Sequence, residues 1–172
     1  MPLVLKGLQR FFDLTNLCLM TNVRKATIDD LPALTVLNEG LFNEDAGTRD
    51  PFVDLGWSGR EAYLLALVDD GERNIIWVAD DGGQVVGFLV ARLKDGNDVR
   101  PVSSAELESL YIQQDRRNGG HGAALVQHFL GWAKEAGAGR AVVHAYTANT
   151  AAIRFYERFG MRPKSTMLDL AL

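Results

Sequence analysis

The sequence predicts an α/β domain built as a mixed sheet with helices on both faces. Three observations predict it. Residues 23–27, 74–79, 84–93 and 140–146 are strand-like, and apolar residues alternate over 106–112. Between those stretches apolar residues recur at helical spacing, so strands and helices interleave along the chain. At the centre, residues 106–137 pass from an alternating segment, through a polar, glycine-rich turn at 113–122, into a helix-spaced apolar pattern: strand, anion-binding turn, helix.

In order, a strand at 23–27 is followed by Asp29 or Asp30 as helix cap, with Leu31, Leu34, Leu37 and Leu41 on the buried face. Residues 43–57 read as a polar loop punctuated by Gly47, Pro51 and Gly56. Ser58-Gly59-Arg60-Glu61 reads as a capping box that opens a second helix through about Val68. Strands at 74–79 and 84–93 flank Asp80-Asp81-Gly82-Gly83, a hairpin turn. Residues 94–104 read as a disordered linker into the central strand. After the long helix ends at Gly137, a strand at 140–146, a short helix capped by Asn149 and a closing strand at 162–170 complete the order.

At 172 residues, with 47% hydrophobic and 23% charged content, the chain reads as one soluble domain with a continuous core. A net charge of −4 argues against a nucleic-acid partner. Cys18 is the only cysteine, which permits no internal disulfide and fits a reducing, cytoplasmic setting. Residues 1–19 are apolar but interrupted by Lys6, Arg10, Asp13 and Asn16, well short of the roughly 18 uninterrupted residues that span a membrane. They read either as an extra helix, with Leu5, Leu8 and Phe12 on one face, or as a segment ahead of a natural start at Met20. Residues 20–172 are the single domain.

The glycine turn carries the chemistry. Gly119, Gly120 and Gly122 lack Cβ atoms, so a bulky anion can approach their N–H groups at the positive end of the following helix. Arg116 and Arg117 add fork-shaped donors at its mouth. A Walker A loop fails because Ala123 and Ala124 follow Gly122, and the dinucleotide fingerprint fails at Leu125. What remains is Arg117-Asn118-Gly119-Gly120-His121-Gly122, matching Q/R-x-x-G-x-G/A directly after a strand. It resembles motif A of the GNAT N-acetyltransferase superfamily. Downstream, NTAAIRFYERFGM, from Asn149 to Met161, is similar to that family's motif B, with Met161 in place of an aromatic residue.

The resemblance implies a mostly antiparallel sheet whose two parallel central strands splay apart to admit the pantetheine arm of acetyl-CoA. Leu110, Tyr111 and Ile112 would line that arm, the first and last through backbone groups. Arg117, Asn118, Gly119, Gly120, His121, Gly122 and Ala123 would hold the pyrophosphate. Asn149, Ala152 and Tyr156 would complete the cofactor site, with Asn149 also capping its helix. Asn118 and His121 depart from the glycine and small apolar residue usual at their positions. Tyr156 matches the motif B tyrosine and would serve as acid, a phenol of pKa about 10 being close to a thiol in acidity.

Three groups compete as base. Glu108 ranks first, then Glu106, because period-two counting puts both on the face of Leu110 and Ile112. His144 on the neighbouring strand is the rival. The three histidines lack ligand spacing, so no metal is expected. In the family the first two helices and their connection wall the acceptor site, and here they carry Glu39, Glu44, Asp45, Asp50 and Asp54, which suits a small cationic amine. Acetylation of a protein or peptide amine, and a non-catalytic acetyl-CoA sensor, are the other readings. Neither a nucleic acid nor a membrane is an expected partner, and edge strands near the chain's end leave room for a homodimer.

Overall fold

The computed structural model describes residues 21–46 and 48–170. The extra helix or alternative start expected of residues 1–19 lies outside the described residues. One sheet of five strands is ordered β1 (Asn22–Lys25), β2 (Asn74–Asp81), β3 (Gln84–Lys94), β4 (Ser104–Ile112), β5 (Arg140–Val143). All neighbours are antiparallel except β4 and β5. The described residues also form α1 (Leu31–Ala46), α2 (Arg60–Asp70), α3 (His121–Glu135) and α4 (Thr150–Glu157).

Alternating side chains of β2 and β3 feed two cores, as expected of strands covered on both faces. On one face Ile75, Trp77, Leu89 and Leu107 pack against Leu125, Val126 and Phe129 of α3. On the other, Ile76, Val78, Phe88 and Val90 meet Leu31, Leu34 and Leu37 of α1 and Leu64 and Leu67 of α2. The helix anticipated after Asp30 is anchored by an ion pair. Asp30 accepts from the Thr27 N–H at 2.8 Å and takes the Arg24 guanidinium on both oxygens at 2.7 and 2.8 Å. Arg24 therefore holds the Asp30 carboxyl below the usual carboxylate range.

Several boundaries differ from the expectations. The helix runs on through residues 43–46 because Asn-Glu-Asp-Ala contains no breaker; the chain then turns as the Thr48, Arg49 and Asp50 N–H groups bond to the Asp45 carbonyl. The capping box at Ser58 does not form: the N-cap of α2 is Gly59, with no side-chain hydrogen bond. The hairpin is as anticipated, with Gly82 and Gly83 at φ 65° and 91° and the Gly83 N–H donating to Asp80. Residues 94–104 are not a disordered linker but hold a tight turn, in which the Asn97 side chain accepts from the Val99 and Arg100 N–H groups.

The closing strand is absent. Residues 162–170 form no strand, and Met167, Leu168 and Leu170 are 86%, 90% and 82% exposed. Pro163 removes a ladder donor near the start of that segment. β5 stops at Val143 rather than continuing to Tyr146, so β4 is its one strand partner among the described residues.

Candidate active site

The glycine turn leads into α3 as anticipated, but its left-handed positions are Asn118 (φ 66°) and Gly120 (φ 88°). Asn tolerates that region better than most residues, which is how it stands where the resemblance led us to expect glycine. The first backbone bond of α3 runs from the Ala124 N–H to the Gly120 carbonyl. The N–H groups of His121, Gly122 and Ala123 are thus spare donors at the helix's positive end, the arrangement that binds a pyrophosphate. A Cβ built on Gly122 would lie 3.5 Å from Phe155 and 3.7 Å from Ile112, so these two side chains wall the turn. His121 is buried, with Nδ1 3.0 Å from the Thr21 hydroxyl.

Both arginines of the turn are already engaged. Arg116 donates to Asp81 at 2.8 Å and secures the turn to the β2–β3 hairpin. Arg117 donates through Nε to the Ile112 carbonyl at 3.0 Å and through Nη2 to Glu44 of α1 at 2.5 Å. Its guanidinium also lies 5.4 Å from the Tyr111 ring centroid. Burial, helped by the Glu44 charge, pushes the Tyr111 phenol up. Gln114 donates to the same Glu44 oxygen at 3.1 Å, so one carboxylate ties the turn to α1.

Within β4 the register against β3 shifts: Val90 faces Ser109 and Ala91 faces Leu107, leaving Glu108 as an extra residue. That bulge reverses the alternation. Ala105 and Leu107 point to the α3 side, and so do Leu110 and Ile112 beyond it, while Tyr111 joins the α1–α2 side. Period-two counting fails here, and Glu106 does not share a face with Leu110 and Ile112. It lies opposite Arg92, and both candidate carboxylates are ion-paired, Glu106 with Lys94 at 2.6 Å and Glu108 with Arg92 at 3.1 Å. Past the bulge the two parallel strands part. Their ladder pairs Ser104 with Arg140 through Leu107 with Val143 and goes no further, so residues 108–112 of β4 have no β5 neighbour.

Tyr156 of α4 packs into the α3-side core and is 8% exposed. Burial pushes its phenol far up, so it stays protonated at neutral pH. Asn149 caps α4 as anticipated, accepting from the Ala152 N–H at 3.1 Å, and Ala152 packs beneath the helix. His144 is exposed just past the end of β5.

The model of the acetyltransferase (GNAT) family matches residues 39–161, which span the gap, the glycine turn and α4. The chain belongs to the GNAT acetyltransferase family. It is 27% identical over 147 residues to an L-methionine sulfoximine/L-methionine sulfone acetyltransferase of Pseudomonas paraeruginosa, covering 85% of this chain and 83% of that one. Its fold superposes on a tetramutant of a Bacillus halodurans protein with TM-score 0.79 at 20% identity, covering 88% and 99% of the two chains. An aminoglycoside acetyltransferase from an uncultured soil metagenomic sample superposes with TM-score 0.66 at 18% identity, covering 89% and 97%. The protein is therefore an N-acetyltransferase with a GNAT fold.

In this acetyltransferase four acids of α1 and the segment after it are engaged by partners. Glu44 is held by Arg117, Asp45 by Arg49 at 2.7 Å, Asp50 by the Tyr146 hydroxyl at 3.0 Å, and Asp54 by the Gly56 N–H at 2.8 Å. Burial and Asp50 push the Tyr146 phenol up to about 12. The Trp57 ring lies tilted against those of Phe42 and Tyr63, with centroids at 6.2 and 5.5 Å. Burial and the Glu108 charge raise the Tyr63 phenol while Arg92 opposes them. Sequence reasoning names Glu44 only as an acid of the acceptor wall and does not reach Arg92 or Tyr63. Their signal was available only in part, as a cation on β3, the strand that neighbours β4. No helix among the described residues is long and apolar enough to cross a membrane.

Proposed function

We propose that the enzyme transfers the acetyl group of acetyl-CoA to the primary amine of a small molecule by direct attack, without an acyl-enzyme. The observation that carries this reading is the parting of β4 from β5 beside the spare N–H groups of α3, with the buried Tyr156 phenol on the same side of the sheet. Backbone groups of Leu110 and Ile112 take the amide-rich arm as a sheet takes another strand. The N–H groups from Gly119 to Ala123 take the pyrophosphate, with Arg117 and Asn118 at the mouth. Asn149 and Ala152 border the arm from α4.

Acetyl-CoA supplies the thioester. The amine arrives as an ammonium ion and surrenders a proton near Glu108, with Glu106 and His144 as the other candidate acceptors. Its nitrogen then bonds to the carbonyl carbon as the carbon–sulfur bond breaks; Tyr156 protonates the departing thiolate and regains its proton from the nitrogen, which sheds a second proton in becoming the amide. A β4 backbone N–H steadies the oxyanion in this reading. A small cationic amine suits Glu106 and Glu108, which lie on the α1–α2 side, and relatives that carry the names of amino-acid-analogue and aminoglycoside acetyltransferases support a small acceptor.

The test is release of free coenzyme A across polyamines, aminoglycosides, amino acids including methionine sulfoximine, and peptides. Acceptor-dependent turnover is expected with a small amine, falling at least about tenfold in Tyr156→Phe. Cofactor binding without turnover on any acceptor would instead indicate a sensor, and turnover on peptides alone would move the acceptor to proteins.

A further inference from the structure

Arg154 and Arg158 stand one helical turn apart at the C-terminal end of α4, both exposed, with Phe155 between them in sequence. The Arg158 guanidinium lies 5.0 Å from the centroid of the Phe155 ring. That ring is the same one whose edge would stand 3.5 Å from a Cβ on Gly122. One aromatic side chain thus separates Arg158 from the spare N–H groups of α3.

Neither arginine has a carboxylate partner among the described residues, whereas Arg24, Arg49, Arg73, Arg92, Arg116 and Arg117 each do. Like charges at this spacing repel. Residues 154–164 hold four cations, Arg154, Arg158, Arg162 and Lys164, against the single acid Glu157, in a chain whose net charge is −4. The helix dipole favours cations in a last turn, but it does not place one over the ring that walls the glycine turn.

We infer that Arg154 and Arg158, with Phe155 as their platform, form a subsite for a phosphate monoester, the 3′-phosphate of coenzyme A. The inference rests on the cofactor reading above. The chemistry fits: that phosphate hangs one ribose away from the pyrophosphate, and two forks at adjacent turns can share its oxygens. A doubly charged group between the arginines also relieves their mutual repulsion. The enzyme would therefore distinguish coenzyme A from its 3′-dephospho form at a place remote from the thioester.

Calorimetric titration of the full chain with coenzyme A and with 3′-dephospho-coenzyme A tests this, alongside competition by 3′,5′-ADP and 5′-ADP. The wild type is expected to favour the 3′-phosphorylated ligands at least about fivefold, and the preference should shrink with added salt. The ratio should fall close to one in the Arg154→Gln/Arg158→Gln double variant, with Arg158→Lys intermediate because it keeps charge and loses the fork. Both positions are exposed, and unchanged melting would confirm that the variants fold. Equal wild-type affinities for the two cofactor forms, or a ratio untouched by the double substitution, would overturn the subsite. Failure of either form to bind would overturn the cofactor reading itself, and the subsite with it.

Discussion

Asn118 holds a left-handed backbone at φ 66° inside the turn that meets the cofactor in our reading. A β-branched side chain there meets the full steric penalty, so Asn118→Val should lose about 1–2 kcal/mol of stability in urea denaturation, whereas Asn118→Gly should lose almost none. Asp30 sets a different residue-scale expectation. Arg24 lowers its folded-state pKa, so the stability it contributes is fully present above the unfolded value of about 3.9 and drains away as pH falls through the lower folded value. Urea midpoints measured downward from pH 5 should drop through that window in the wild type. In Arg24→Met the drop should flatten, from a lower starting stability at neutral pH.

Between elements, Gly40 lets α1 lie against β4. A Cβ there would come within 2.7 Å of the Tyr111 hydroxyl and 2.9 Å of its ring carbon. Alanine in a helix gains about 1 kcal/mol over glycine, while overpacking loses about 1–3 kcal/mol. Gly40→Ala should therefore destabilise the wild type slightly and stabilise a Tyr111→Leu background, which a thermal-melting cycle would show. Glu44 holds the other end of this contact. If the cofactor's phosphates and Glu44 compete for Arg117, then Glu44→Gln should tighten acetyl-CoA binding by roughly two- to fivefold, the worth of a half-exposed ion pair. Unchanged or weakened binding by calorimetry would mean that Arg117 serves the structure rather than the phosphate. Such a latch is invisible to sequence reading because its partners stand 73 residues apart, and either side chain passes for a solvated charge. The turn itself is legible, because its glycines and the strand and helix around it are contiguous. Residues 43–46, the Ser58 cap and the last segment are less legible, because local pattern there is compatible with both continuing and stopping an element.

Across the whole molecule, one sheet separates two cores with different duties. Phe129→Ala, on the α3 side, should lose about 3–5 kcal/mol and weaken cofactor affinity too, because α3 carries the turn. Leu34→Ala, on the α1 side, should lose about 2–5 kcal/mol while leaving cofactor affinity per folded molecule near normal. Titrations corrected for folded fraction would separate the two. The order of elements and the two-faced sheet follow from periodicity, but the faces of β4 do not, because counting by twos presumes that nothing has been inserted. Glu108 is that insertion. It acts on the backbone as a frameshift acts on a message: everything downstream is read from the opposite side. Deleting it should join Leu107 to Ser109 in a regular ladder with Leu110 and Ile112 still in their core, so the chain should fold, losing the local bend and the Arg92 ion pair rather than its architecture.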